Sequence, residues 1–414
     1  QINLFQLPFF ERYKMIFKKI KVTDMITVSV LVIVTLTGIY FYVNSLARNL
    51  LWLKTYPIRA ELSVQQTSCS DNSPSWLANI LEYKTLYNSA PSNQIAYIDS
   101  SGNLYHCENG YVGQYPLLSK PITEHTRFRY ASVTKLWTAD ATLQLVKDGK
   151  FSLDTPLADI IDEINQPKDA RLADITVRQL LTHRAGFDRY SIFGQDMFGI
   201  GKNICPKHLE GLNDIELGFE PGSKTSYSNL GYCLLGEVIS RLNKDKSYTD
   251  IIAQQYNFAD TNLRFASNAA MEDEVTYNYV ETGLTGHADI YTAFDYEGLA
   301  SAAGLSGNAI DLAQQAHSLA AKPMPNILSI DLQSACDVTQ IAECYGYAMV
   351  AYQRTPQSTT VYYRDGSLLG LSSLVAIDEK GGVVALLSNG TPDNGVVDNN
   401  KVKMMIYNQL AQSQ

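Results

Sequence analysis

The sequence predicts an α+β fold: one antiparallel sheet flanked by N- and C-terminal helices, a helical lobe beside it, and an N-terminal transmembrane helix. Three observations carry the prediction. Strand-like runs lie at both ends of the main body, a mostly helical stretch separates them, and a long uncharged apolar run precedes both. Strands from distant segments, joined across a helical insert, imply a single sheet covered by helices. With 414 residues, of which 45% are hydrophobic and 18% charged, the chain can bury a large core.

The first element is the run "MITVSVLVIVTLTGIYFYV", residues 25–43, which carries no charge and is long enough to span the hydrocarbon core. Arg12, Lys14, Lys18, Lys19 and Lys21 precede it, so the N-terminus is expected in the cytoplasm and the remainder across the membrane. Tyr40, Tyr42 and Trp52 would lie near the outer interface. The competing reading is a cleaved signal peptide with Ser45 and Ala47 as its small-residue site, but the run is longer than such regions need. Met15 followed by "IFKKIKV" looks like a natural start, which leaves residues 1–14 as an extension of unread role. The expected organisation is a basic segment 1–24, a membrane helix 25–43, a linker 44–74 and one domain over 75–414.

All six cysteines, Cys69, Cys107, Cys205, Cys233, Cys336 and Cys344, follow the apolar run, and an even number on an exported side implies disulfides. Cys336 with Cys344 closes the shortest loop; Cys69 with Cys107 and Cys205 with Cys233 are the other pairs considered, against a buried thiol at Cys233 in "LGYCLLGEVI".

Along the domain, "WLANILEYKTLYN" has helical spacing and "QIAYIDSSGNLYHCENG" alternates about a turn. The helical middle includes "KLWTADATLQLVKDGK", "TVRQLLTHRAG", "NLGYCLLGEVISRLN" and "AIDLAQQAHSLAA". Four strands follow, "YGYAMVAYQR", "TTVYYR", "LSSLVAID" and "GVVALLSNG", before a closing helix "NKVKMMIYNQLAQ". The net charge of -9 and the lack of a basic stripe argue against a nucleic-acid partner.

Chemistry begins in "RYASVTKLW". Ser132 and Lys135 are three apart where a helix starts, which stacks them on one face. A lysine whose pKa is lowered by burial can take the proton of a serine hydroxyl, and a helix N-terminus favours the charge that develops. The bland alternative is a serine cap. In "KTSYSNLGY", Tyr227 and Asn229 are two apart and would point into a common pocket, one as a proton relay and one holding an amide; here too the alternative is a helix cap at Asn229. A third stretch, "YYRDGSLLG" over residues 362–370, reads either as an Asp-Gly hairpin or as an edge strand lining the same pocket.

In this order the three motifs resemble the serine β-lactamase and penicillin-binding-protein superfamily, in its class C branch of β-lactamases, D,D-carboxypeptidases, D-aminopeptidases and esterases. "LADITVRQLLTHRAGF", "FEPGSKTSYSN" and "LASAAGLSGNAIDLAQ" also resemble that branch, and the likeness runs over roughly residues 75–412. It implies a β-lactamase/transpeptidase-like fold with no cofactor and no metal. By the resemblance Ser132 forms an acyl-enzyme, Lys135 and Tyr227 share acid and base work, and Asn229 orients Lys135 and the substrate amide. Arg364, Asp365 and Gly366 align with the third motif, and the backbone N–H groups of Ser132 and Ser367 would hold the oxyanion. The motif departs from its relatives, which carry lysine or histidine at its first position. Asp365 would repel a substrate carboxylate if it faced the pocket, and would matter less if strand alternation turned it away.

A Ser-His-Asp hydrolase would need a G-x-S-x-G elbow, which "GLSGN" and "GLSSL" do not supply. His106, His125, His183, His208, His287 and His317 are scattered without an H-E-x-x-H, and His183 is read as satisfying a local backbone contact. The expected function is therefore a membrane-anchored serine hydrolase acting on an ester, amide or peptide. Its expected location is the bacterial inner membrane, single-pass, with the catalytic domain periplasmic. The alternative is a non-catalytic accessory or scaffold subunit of a membrane protein complex.

Overall fold

The structure is a computed structural model of the chain that describes residues 21–113, 115–201, 203–244, 246–277, 290–331, 336–341, 343–390 and 395–412. Arg12, Lys14, Lys18, Lys19, His287 and the side chain of Trp52 lie outside the described residues. Two compact units divide the chain, residues 1–56 and 57–414. In the first, helix α1 (Val22–Val43) is 22 residues long and apolar enough to cross a membrane, with none of its residues buried against the rest of the chain. At 1.5 Å per residue it reaches about 33 Å, the thickness of a hydrocarbon core. An apolar helix near the N-terminus together with disulfides suggests an exported protein.

Helix α2 (Ser45–Val64) occupies most of the stretch expected as a linker. The polar tract that signalled a linker, from residue 63 on, holds only its last turn, and Pro57 within the helix did not end it. Beyond it come β1 (Ser68–Cys69), α3 (Ser75–Tyr87), β2 (Asn93–Ile98), β3 (Leu104–Asn109) and β4 (Phe128–Arg129). The helical lobe contributes α4 (Lys135–Lys147), α5 (Val177–Leu181), α6 (Asn229–Leu242), α7 (Tyr248–Gln255), α8 (Ala300–Ala303) and α9 (Ala309–Ala320), with β5 (Arg264–Phe265) and β6 (Leu305–Gly307) between. The chain closes with β7 (Cys344–Tyr345), β8 (Val350–Tyr352), β9 (Val361–Leu368), β10 (Leu371–Asp378), β11 (Val383–Ser388) and α10 (Gly395–Gln412).

Among the described residues the main antiparallel sheet runs β1-β3-β2-β11-β10-β9-β8-β7, so early strands join late ones through the β2–β11 pair. A second, three-stranded antiparallel sheet β4-β6-β5 corrects the expectation of a single sheet, its two- and three-residue strands being too short to show alternation. Alternation divides β10 between two cores. Leu374 and Ala376 pack with Leu77 and Leu81 of α3 and Val402 and Ile406 of α10, whereas Val375 and Ile377 face the larger core with Leu312 and Ala316 of α9. Burial on both faces explains why "VVALLS" in β11 is apolar without alternation.

Strand β9 is the element on which the site depends. It is not an edge strand over its whole length: β8 covers Val361–Tyr363, while Arg364–Leu368 pairs only with β10. The hairpin turn falls at Leu369–Gly370, where Gly370 has φ +71°, and not at Asp365–Gly366. The uncovered half of β9 faces the turn Ala131–Thr134 that leads into α4, and Ser373 Oγ of β10 fixes that turn by donating to the Tyr130 carbonyl at 2.6 Å.

All three cysteine pairs considered from the sequence form: Cys69–Cys107, Cys205–Cys233 and Cys336–Cys344. Cys233 is thus a bridged residue and not a free buried thiol. Cys205–Cys233 ties the buried loop residue Cys205 to α6 across 28 positions of sequence. Replacing both cysteines by alanine is expected to lower stability by ~3–4 kcal/mol, the closure entropy of such a loop, read as a fall in Tm by circular dichroism; an unchanged Tm would refute the bridge.

Candidate active site

Ser132 lies in the tight turn ahead of α4, preceded by Ala131 at φ +45°, a conformation uncommon for a residue with a Cβ. That turn presents the half-buried Ser132 hydroxyl to two neighbours. Tyr227 Oη donates to Ser132 Oγ at 2.6 Å, and Lys135 Nζ lies 3.4 Å from the same oxygen. Lys135 is fully buried and also donates to Asn229 Oδ1 and the Ala302 carbonyl, each at 2.8 Å. Its ammonium further lies 4.8 Å from the Tyr227 ring centre and 5.2 Å from that of Tyr232. Burial pushes the Lys135 pKa well below its ordinary value, the Arg364 charge adds to the push, and Asp196 opposes it.

Tyr227 and Asn229 come from the entry to α6. Ser228, not Asn229, is the N-cap: its Oγ accepts from the Gly231 N–H at 3.2 Å, which leaves the Asn229 amide free to meet Lys135. Burial raises the Tyr227 pKa, although Arg364 and the Ser132 hydrogen bond pull the other way. His183, held at φ +57°, stacks 4.5 Å from the Tyr227 ring, and its Nδ1 accepts the Ser228 N–H at 3.2 Å. From the sequence His183 is expected to satisfy a local backbone or loop contact; its backbone partner, Ser228, lies 45 positions away in the loop before α6.

The third motif follows strand alternation. Arg364 and Gly366 face Ser132, whereas the Asp365 carboxylate points to the other side of the sheet, 3.3 Å from Lys403 Nζ of α10. Arg364 directs Nε to the Ser132 carbonyl at 3.0 Å, Nη1 to that of Ala348 at 3.3 Å and Nη2 to Tyr227 Oη at 3.1 Å. A cation therefore stands beside the tyrosine hydroxyl even though neither lysine nor histidine is present. At Gly366 an added Cβ would come within 2.6 Å of the Tyr130 carbonyl and 2.8 Å of the Ser132 nitrogen, so only glycine allows this approach. Ser367 follows on the rim.

These groups line one cleft of about 620 Å³, large enough for a small molecule or a short peptide segment. Ser132, Tyr227, Asn229, Arg364, Gly366 and Ser367 border it, as does Asp365 although its carboxylate is paired with Lys403, and Lys135 lies immediately beneath. Two further residues, Arg189 and Asp196, escaped the sequence reading because the segment that carries them holds no motif. Arg189 borders the cleft with its guanidinium 5.6 Å from the Tyr227 ring centre. Asp196 is buried behind Asn229. Among the described residues no group of three or more His, Cys, Asp or Glu is placed to hold a metal ion.

Comparison with known proteins bears on the family and the fold. The "Beta-lactamase" family model matches residues 110–407. The putative fimbrial assembly protein FimD, serogroup D, of Dichelobacter nodosus is 31% identical over 362 residues, 87% of this chain and 90% of that protein. Esterase EstB of Burkholderia gladioli is 36% identical over 137 residues, 30% of this chain and 34% of its own. Among solved structures, EstCE1, described as a hydrolase with promiscuous acyltransferase activity, superposes with a TM-score of 0.64 at 18% identity, covering 80% of this chain and 97% of that one. Fold, motif order and family match together make this chain a member of the Beta-lactamase family of serine β-lactamase and penicillin-binding-protein-like proteins.

Proposed function

We propose that the chain is a membrane-anchored, exported serine hydrolase that forms an acyl-enzyme on Ser132 with an ester, amide or peptide substrate. The observation that carries the proposal is the sharing of Ser132 Oγ between Tyr227 Oη at 2.6 Å and Lys135 Nζ at 3.4 Å at the floor of a cleft. With Lys135 neutral, the Ser132 proton passes to the Lys135–Tyr227 pair as Oγ bonds to the substrate carbonyl carbon. The N–H groups of Ser132 and Ser367 hold the oxyanion, and Tyr227 returns the proton to the leaving oxygen or nitrogen. Water then attacks the acyl-enzyme by the same route, releasing the acid and regenerating Ser132. Asn229 fixes Lys135 and offers its amide to the substrate, while Arg364 keeps a positive charge beside the tyrosine oxygen through both steps.

Anchoring by residues 25–43, a cytoplasmic N-terminus and a periplasmic domain on a bacterial inner membrane complete the proposal. The apolar helix, the basic residues before it and the disulfides after it support this placement. The esterase name of the Burkholderia relative supports hydrolysis of esters. The fimbrial name of the Dichelobacter relative supports a substrate, or a partner in a membrane protein complex, among the parts of exported fibres. A purely accessory role fits less well, because a retired site has no need of a complete Ser132–Tyr227–Lys135–Asn229 network.

Three outcomes are expected. Incubation of the exported domain with a fluorophosphonate adds the reagent's mass at Ser132 and not in Ser132→Ala, with labelled penicillin slower; a folded wild type that takes neither label sinks the proposal. Lys135→Met and Tyr227→Phe each lower the acylation rate by roughly 10²–10⁴-fold, and Gly366→Ala lowers it by occluding the approach to Ser132. Because the Lys135 pKa is depressed, the neutral amine, and with it the acylation rate, rises with pH and reaches its plateau well below the ordinary lysine value; a rate that still climbs at pH near 10 contradicts Lys135 as the base.

A further inference from the structure

We propose that Asp196 is a positioning residue of this site, one that sets the Asn229 amide and, through it, the Lys135–Tyr227 pair. The inference rests on the hydrolase reading above.

Asp196 lies 33 positions before Asn229 in sequence and is fully buried behind it. One carboxylate oxygen, Oδ1, accepts three hydrogen bonds: from Ser228 Oγ at 2.7 Å, the Asn229 N–H at 2.7 Å and the Leu230 N–H at 3.2 Å. A carboxylate thereby closes the N-terminus of α6, where unpaired N–H groups and the helix dipole both favour negative charge. The Asp196 main-chain carbonyl accepts from Asn229 Nδ2 at 3.0 Å. This contact decides the orientation of the amide: with Nδ2 directed to a carbonyl, Oδ1 is the atom left for Lys135, which it meets at 2.8 Å. A flipped amide would set two donors against an ammonium. The other carboxylate oxygen, Oδ2, has no hydrogen-bond donor and lies 3.3 Å from Arg189 Nε, whose guanidinium borders the cleft. Asp196 therefore joins the helix that carries the second motif to the cation at the cleft mouth.

The charged and titratable groups facing Lys135 come from four elements. They are Arg364 from β9, Asp196 and Arg189 from the segment after Gly186, Tyr227 and Tyr232 at the start of α6, and His183 after α5. Asp196 raises the Lys135 pKa and Arg189 lowers it, and the two act on Tyr227 in the same directions. The prediction for the acid limb of the pH profile is thus the same whether Lys135 or Tyr227 receives the Ser132 proton.

The experiment measures the rate of fluorophosphonate labelling at Ser132 against pH, with the full-length protein in detergent, for wild type, Asp196→Asn and Arg189→Gln. In Asp196→Asn the plateau rate is expected to fall about tenfold or more as the hydrogen bonds that seat Ser228, Asn229 and Leu230 on the carboxylate weaken and the entry to α6 shifts, and the acid limb to move to lower pH by about half a unit or more. In Arg189→Gln the limb is expected to move the opposite way, to higher pH. A limb that stays in place in both folded variants overturns the inference and leaves Asp196 as a helix cap only. If Asp196→Asn does not fold, Asp196→Glu takes its place, keeping the charge but displacing the carboxylate: a lowered plateau with the limb near its wild-type pH supports positioning, and an unchanged plateau overturns it. A folded wild type that is never labelled overturns the hydrolase reading itself, and the inference with it.

Discussion

Enclosing one buried ammonium group among protein acceptors is the constraint that the rest of the domain serves. Lys135 is fully buried, and each of its three protons has an acceptor: Ser132 Oγ, Asn229 Oδ1 and the Ala302 carbonyl. Burying a charge without partners costs many kcal/mol, so the acceptors must come from rigid places. They do: Asn229 opens α6, Ala302 belongs to α8, and Ser132 is fixed by the turn against β9 and β10. Desolvation that is costly for stability is useful for chemistry, because the same burial biases Lys135 toward the neutral amine that can accept a proton.

How much of this the chain displayed in advance depended on whether each relation was local. Ser132 and Lys135 are one helical turn apart, and Tyr227 and Asn229 are two residues apart, so periodicity alone places each pair on a common face. Uniting the two pairs required the family resemblance, since nothing in either segment encodes its distance to the other. The long strands β2, β3, β9, β10 and β11 were legible for the same local reason, whereas the two- and three-residue strands were too short to show a period, so Ser68–Cys69 reads as linker and β7 and β8 read as one strand; the cysteine pairs agreed with loop length and order. Asp196 was not legible: its value lies in backbone N–H groups 33 or more positions away, and an aspartate in "GQDMFG" carries no sign of them. The helix across residues 45–64 was hidden by Pro57 and by a mixed polar composition that resembles a tether.

The stretch "YYRDGSLLG" was ambiguous because two signals overlap in it. Asp-Gly is a frequent hairpin turn, yet here the turn is made three residues later by Leu369–Gly370 and the Asp-Gly pair stays extended. What overrides the local preference is register: Gly366 opposes Ser373, whose hydroxyl holds the Tyr130 carbonyl, so a bend at Gly366 would break the seat of Ser132. The carboxylate of Asp365 is then paired with Lys403 of the last helix, while its charge still acts on Arg364 and Tyr345 at the cleft.

Arginine at position 364 changes the proton inventory of the site. A lysine or histidine there could exchange a proton with Tyr227, but a guanidinium holds its charge at every pH the protein meets. Its planar fork braces the Ser132 and Ala348 carbonyls and the tyrosine oxygen, so it works as a crossbeam between the first, second and third motifs. The positive charge beside Tyr227 is thereby built into the frame of the cleft and is independent of pH.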